Sequence, residues 1–243
     1  LCACGAALAA DDAVACAECV ARGRAEREAR EHECRLIEWE ARLRERTRSA
    51  LEVLPAWPHL ESEDAFRAAI PDQFFVRVAE RYNRTQGSLL LLGPSGHGKT
   101  SLAARIATRD IAAALNARLA NPTDGSVKDA FDAAVGTVWV TASELVRALR
   151  EHRLGSGSEP EALTRAVRAP LAIIDELGPE PAGRAGELFD LVDRRYAKGR
   201  PTIVTSGLEL EAFVARYGDA FRRRLTEPGR GMLVDGHPRR TNG

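Results

Sequence analysis

The segment Gly93-Pro94-Ser95-Gly96-His97-Gly98-Lys99-Thr100 constrains this 243-residue chain more than any other. It fills every fixed position of the pattern Gly-x-x-x-x-Gly-Lys-Thr. A short apolar run, Ser88–Leu92, precedes it, and a long helix is expected to follow Gly98. Glycines let the backbone curl until successive N–H groups face one centre, and the helix N-terminus adds partial positive charge to that centre. The arrangement suits phosphate oxygens. Lys99 supplies a full charge for the outer phosphates, and the Thr100 hydroxyl is placed to meet Mg²⁺. Gly93, Pro94, Ser95, Gly96, His97, Gly98, Lys99, Thr100 and Ser101 are therefore the expected phosphate cradle, with His97 at a variable position that carries no chemistry of its own.

A second signal completes the first. Leu171-Ala172-Ile173-Ile174-Asp175-Glu176 reads as a buried strand ending in two carboxylates. Asp175 at the strand end can hold the Mg²⁺ water shell, and Glu176 can orient and deprotonate an attacking water. Strand ends are also where open α/β sheets place ligands. The paired carboxylates favour ATP hydrolysis, and the chain lacks an Asn-Lys-x-Asp motif for reading guanine.

Short apolar strands recur with helices between them. Thr137–Thr141, Leu171–Asp175, Pro201–Thr205 and Met232–Val234 join Ser88–Leu92 as expected strands, with helices from Ser143 to Arg150 and from Ala185 to Ala197. Continuous apolar strands alternating with helices imply a parallel α/β sheet covered on both faces. The formal net charge is zero, from 35 basic and 35 acidic residues, so a nucleic-acid surface would have to be a local patch. Arg216–Gly243 holds seven Arg against three acids, a modest excess. No apolar run is long enough to span a membrane, and no secretory leader is visible at the start, so a cytoplasmic protein is expected.

The first fifty residues have a different character. Cys2, Cys4, Cys16 and Cys19 crowd into the first 19 positions, a density that suits a tetrahedral Zn²⁺ site better than disulfides in a non-secreted chain. Nine Arg and eight Glu then fall between Ala21 and Glu52. The pairs Glu26–Arg30, Glu31–Arg35, Glu38–Arg42 and Glu40–Arg44 have the favourable i,i+4 order, predicting a charged helix that stops at Leu54-Pro55-Ala56-Trp57-Pro58. The expected organisation is a zinc element over 1–20, a charged helix and linker over 21–58, and an ATPase domain over 59–243.

Over roughly 55–240 the chain resembles the AAA+ ATPases, in the branch of DnaC-type helicase loaders and IstB-type transposition helper ATPases. The resemblance rests on LLLLGPSGHGKTSLA, VWVTASEL, LAIIDELG, PTIVTSGL and the tail DAFRRRL…DGHPRR, in that order. It implies a P-loop fold without a C-terminal helical lid. It also implies that PTIVTSGL is the sensor-1 strand, in which Gly207 stands where the family usually has Asn. Thr205 or Ser206 would then have to substitute, and slow hydrolysis is expected. Of Arg222, Arg223 and Arg224, the resemblance favours Arg224 as the arginine finger acting on a neighbouring subunit's ATP, and Arg240 as the terminal sensor arginine. Implied partners are single-stranded DNA, a replicative hexameric helicase and further copies of the chain when ATP is bound. A transposase partner, and an adaptor that binds ATP but barely hydrolyses it, stay open as alternatives.

Overall fold

The computed structural model describes residues 16–70, 72–120, 136–153, 159–180, 183 and 185–236. The expected ligands Cys2 and Cys4 and the expected sensor Arg240 lie outside them. The chain divides into two compact units, Leu1–Glu45 and Arg46–Gly243, with the boundary inside the first helix.

That helix, α1, runs from Ala17 to Glu52. Three of the expected pairs close along it: Arg44 to Glu40 at 2.7 Å, Arg42 to Glu38 at 3.2 Å and Arg35 to Glu31 at 4.0 Å. All are exposed, so each adds only about 0.3–0.5 kcal/mol to helix stability. Cys16 sits at the helix entry, where the Cys19 amide donates to its sulfur over 3.4 Å. Among the described residues, no group of three or more His, Cys, Asp or Glu is placed to hold a metal ion.

The larger unit continues with α2 (Glu63–Ala69) and α3 (Gln73–Arg81), neither of which was read from the sequence. Both carry side-chain caps: Ser62 accepts from the Ala65 amide at 3.1 Å, and Asp72 from the Phe74 amide at 2.8 Å. Then follow β1 (Ser88–Leu92), α4 (Lys99–Ala120), β2 (Thr137–Thr141), α5 (Ala142–Arg153) and α6 (Glu161–Arg168). The chain proceeds through β3 (Leu171–Leu177), α7 (Ala185–Ala197), β4 (Thr202–Ser206), α8 (Leu210–Tyr217), α9 (Asp219–Thr226) and β5 (Gly231–Asp235). Among the described residues no helix is long and apolar enough to cross a membrane.

The five strands form one parallel sheet in the order β2-β3-β4-β1-β5. This is the parallel sheet with helices on both sides that the apolar strands implied. Successive side chains of a strand point to opposite faces, and here both faces are covered. Leu89 and Leu91 of β1 join Ile173 and Ile203 in a core with Phe75, Leu102, Ile106 and Ile111. Leu90 and Leu92 join Ile174 and Val204 in a second core with Leu145, Leu188, Leu191, Phe213 and Phe221.

Asp175, Glu180 and Arg195 are the charged residues buried among the described ones. Arg195 of α7 has no exposed surface. Its guanidinium donates to the Ala166, Ala169 and Pro201 carbonyls and to Thr202 Oγ1, tying α7 to the end of α6 and the start of β4. Burial lowers its pKa to about 9, which still leaves it charged at neutral pH.

Candidate nucleotide site

The loop between β1 and α4 makes the turn that its glycines allow. Gly96 has φ 83° and Gly98 φ 89°, in the left-handed region where a Cβ is costly. Gly98 is also crowded, since a Cβ there would stand 2.7 Å from Ile70 Cδ1. Lys99 folds back over the loop, and its Nζ donates to the Gly93 carbonyl at 2.8 Å and the Pro94 carbonyl at 2.9 Å. Partial burial lowers the pKa of this ammonium, while Asp175 and then Glu176 pull it back up.

Across from the loop, the Thr100 hydroxyl donates to Asp175 Oδ1 at 3.1 Å, a contact between residues 75 apart in sequence. A hydroxyl and a buried carboxylate side by side are the hard oxygen donors that Mg²⁺ prefers. Burial raises the Asp175 pKa, and the hydrogen bonds from Thr205 and Thr100 act against that rise. The expected carboxylates and the expected cradle therefore meet at one place.

β3 departs from its expected end here. It continues to Leu177, with an irregularity on the way. Ile174 pairs with Val204 and Leu177 with Ser206, so β3 spends one more residue than β4 between those pairs. Asp175 and Glu176 both stand opposite Thr205, the signature of a β-bulge. Glu176 adopts φ 61° and is the one non-glycine with a positive φ among the described residues. Its side chain is exposed, whereas Asp175 beside it is buried.

Thr205 or Ser206 was expected to serve in place of the usual Asn, and both line the cavity beside Lys99. The Thr205 hydroxyl donates to Asp175 Oδ1 and accepts from the Glu176 amide at 2.9 Å. Ser206 donates to the Leu177 carbonyl at 2.7 Å and is fully buried. The sensor position itself, Gly207, has open space where a side chain would be.

A cavity of about 620 Å³ joins these parts, lined by Lys99, Thr100, Glu176 and Gly207 among others, with His59 and Ile70 at its margin. Its size is that of a small-molecule site. The curled loop, the ammonium and the Thr100–Asp175 pair fit a magnesium–nucleotide complex. His59 was missed in the sequence. Its Nε2 lies 3.0 Å from Ser101 Oγ, and its ring stacks on Trp57 with centroids 5.5 Å apart. Only the tertiary fold brings His59 to the P-loop.

The three arginines of α9 are engaged within the chain. Arg224 Nε donates to Asp193 at 2.6 Å, and its guanidinium lies over the Tyr196 ring, 4.7 Å from the centroid. Arg222 and Arg223 both pair with Asp219, at 2.7 and 3.2 Å.

Residues 127–226, which include both carboxylates, β4 and the arginines of α9, match the family described as IstB-like ATP binding protein. Over that segment the chain is similar to the IstB-like ATP-binding proteins. No curated protein matches it. Similar solved structures include the DnaC helicase loader, at 14% identity and TM-score 0.44, covering 78% of this chain and 99% of that one. DnaI is similar at 20% identity and TM-score 0.44, covering 76% and 86%. Domain III of the Thermotoga maritima replication initiation protein DnaA is similar at 16% identity and TM-score 0.42, covering 76% and 65%. The IstB-like segment contains the bulged Asp175-Glu176 pair.

Proposed function

We propose that the chain is a Mg²⁺-dependent ATPase that works as a conformational switch in DNA replication, in the manner of a helicase loader. The observation that carries the ATPase reading is the convergence of Lys99 and Thr100 with Asp175 and Glu176 around one cavity. ATP, when bound, supplies the γ-phosphoryl group that is transferred to water. Lys99 and the amides of residues 96–100 take up negative charge. Thr100 and Asp175 hold the metal's oxygen shell, and a Glu176 carboxylate oxygen accepts the proton of the attacking water. Gly207 offers no side-chain donor, so turnover by the isolated chain is slow.

Further steps belong to the same reading. Arg224 leaves Asp193 to act on the ATP of a neighbouring copy, so an oligomer forms when ATP is bound. Single-stranded DNA and a replicative hexameric helicase are the partners, and the protein works in the cytoplasm. Cys16 and Cys19, one helical turn apart at the start of α1, supply half of a Zn²⁺ site whose other half is Cys2 and Cys4. The match of residues 127–226 favours a second reading, a transposition helper that engages duplex DNA and a transposase.

Calorimetry with Mg-ATP tests the core: heat of association in the parent and none in Lys99→Ala is the expected result. Hydrolysis with and without single-stranded DNA follows, with Glu176→Gln retaining binding and losing turnover. Equal behaviour of parent and Lys99→Ala would sink the reading. Co-purification with the host helicase or the host transposase decides between the two partners.

A further inference from the structure

We infer that Thr205 is a positioning residue that holds the Asp175–Glu176 bulge in its working shape, and that it does so from the strand where a nucleotide sensor was expected. The inference rests on the ATPase reading for its consequence and on geometry for its substance.

In an unbroken strand, Asp175 and Glu176 would point to opposite faces of the sheet. One would then face the site and the other a buried layer of helices. The extra residue in β3 prevents this, since both residues stand opposite Thr205. Such a bulge leaves backbone groups without their ladder partners. At this position the Glu176 amide finds the Thr205 hydroxyl, at 2.9 Å. The same hydroxyl spends its one proton on Asp175 Oδ1. A single buried oxygen thus fixes the carboxylate beside Thr100 and the backbone that aims Glu176.

The direction of the proton is determined. Thr205 accepts from an amide, which can only donate, so its own hydrogen is left for the Asp175 oxygen, which accepts it as a carboxylate. Valine has nearly the shape of threonine and can do neither. Serine can do both. The left-handed φ of Glu176 makes the dependence sharper, because a glutamate leaves that region when nothing holds it there. Thr205 is itself 1% exposed, so its hydroxyl is largely shielded from bulk solvent.

The test uses the full chain with Thr205→Val, Thr205→Ser and, should the valine variant not fold, Thr205→Ala. Amide hydrogen exchange without nucleotide is read first. The Glu176 amide should exchange at least tenfold faster in Thr205→Val than in the parent, with Ile174 and Val204 unchanged and Thr205→Ser within threefold of the parent. Hydrolysis is read second. kcat should fall at least tenfold in Thr205→Val, with Mg-ATP Kd changed by less than threefold, and Thr205→Ser should restore kcat. Unchanged Glu176 exchange in the valine or alanine variant overturns the inference, as does a uniform rise across β3 and β4 with no serine rescue. If exchange responds as stated and the parent binds no Mg-ATP, the ATPase reading fails and the role in catalysis falls with it.

Discussion

Two glycines of the same loop allow backbone strain and side-chain crowding to be separated. Gly96 and Gly98 have nearly equal φ values, 83° and 89°. An alanine at either pays the left-handed penalty, about 1–2 kcal/mol. A Cβ at Gly96 meets nothing within 4 Å, whereas at Gly98 it stands 2.7 Å from Ile70 Cδ1 and 3.1 Å from Ile70 Cγ2. Crowding of this kind adds about 1–3 kcal/mol. Gly96→Ala is therefore expected to cost about 1–2 kcal/mol and Gly98→Ala about 2–5 kcal/mol. Ile70→Val removes the Cδ1 atom that makes the closer contact and by itself costs about 0.5–1.5 kcal/mol. In a double-mutant cycle by urea denaturation, Gly98→Ala with Ile70→Val should lose less than the sum of the single changes, by about 1 kcal/mol. Gly96→Ala with Ile70→Val should be additive. Equal costs for the two alanines, or no coupling between Gly98→Ala and Ile70→Val, would refute the claim that Ile70 braces the turn of the loop.

Arg195→Met should cost about 3 kcal/mol or more in urea denaturation, because buried carbonyls at Ala166, Ala169 and Pro201 each lose a donor. Lys99 gives opposite signs for stability and affinity. Burial sets its folded pKa below the ordinary 10.5, so the folded chain binds fewer protons than the unfolded one in that alkaline window. As pH rises through it, the Lys99 contribution to stability should increase while Mg-ATP affinity falls, and the affinity trend should be absent in Lys99→Arg. Tyr217→Phe removes the phenol that donates to buried Glu180, whose other oxygen accepts from the Gly178 amide at 2.9 Å beside the cavity. It should destabilise the protein by about 1–3 kcal/mol in thermal denaturation. Zinc quantitation on purified full-length chain should give one equivalent, lost in Cys16→Ser with Cys19→Ser. Less than half an equivalent in the parent rejects the zinc element.

Sequence by itself determined the parts whose chemistry is local. Gly93–Thr100 needs only its own glycines and the helix that follows to make a phosphate cradle. A run such as Leu89–Leu92 is buried on both faces wherever it is placed, so the parallel sheet was legible before any strand was paired. The charged helix was equally plain, since its i,i+4 pairs lie one turn apart. The short helices α2 and α3 left weaker marks, a capping Ser62 and Asp72, which mean little until the following residues are seen to bury an apolar face. What the tertiary structure alone decided depends on residues far apart in the chain. β3 pairs directly with β4, and that placement brings Thr205 up behind Asp175, 30 residues away. The bulge that turns Glu176 toward the cavity exists only against β4, because a register shift is a relation between two strands. His59 reaches Ser101 through the packing of the segment that directly follows the helix stop. Periodicity and backbone freedom are encoded within a few residues; pairing and register are set by which distant surfaces bury one another.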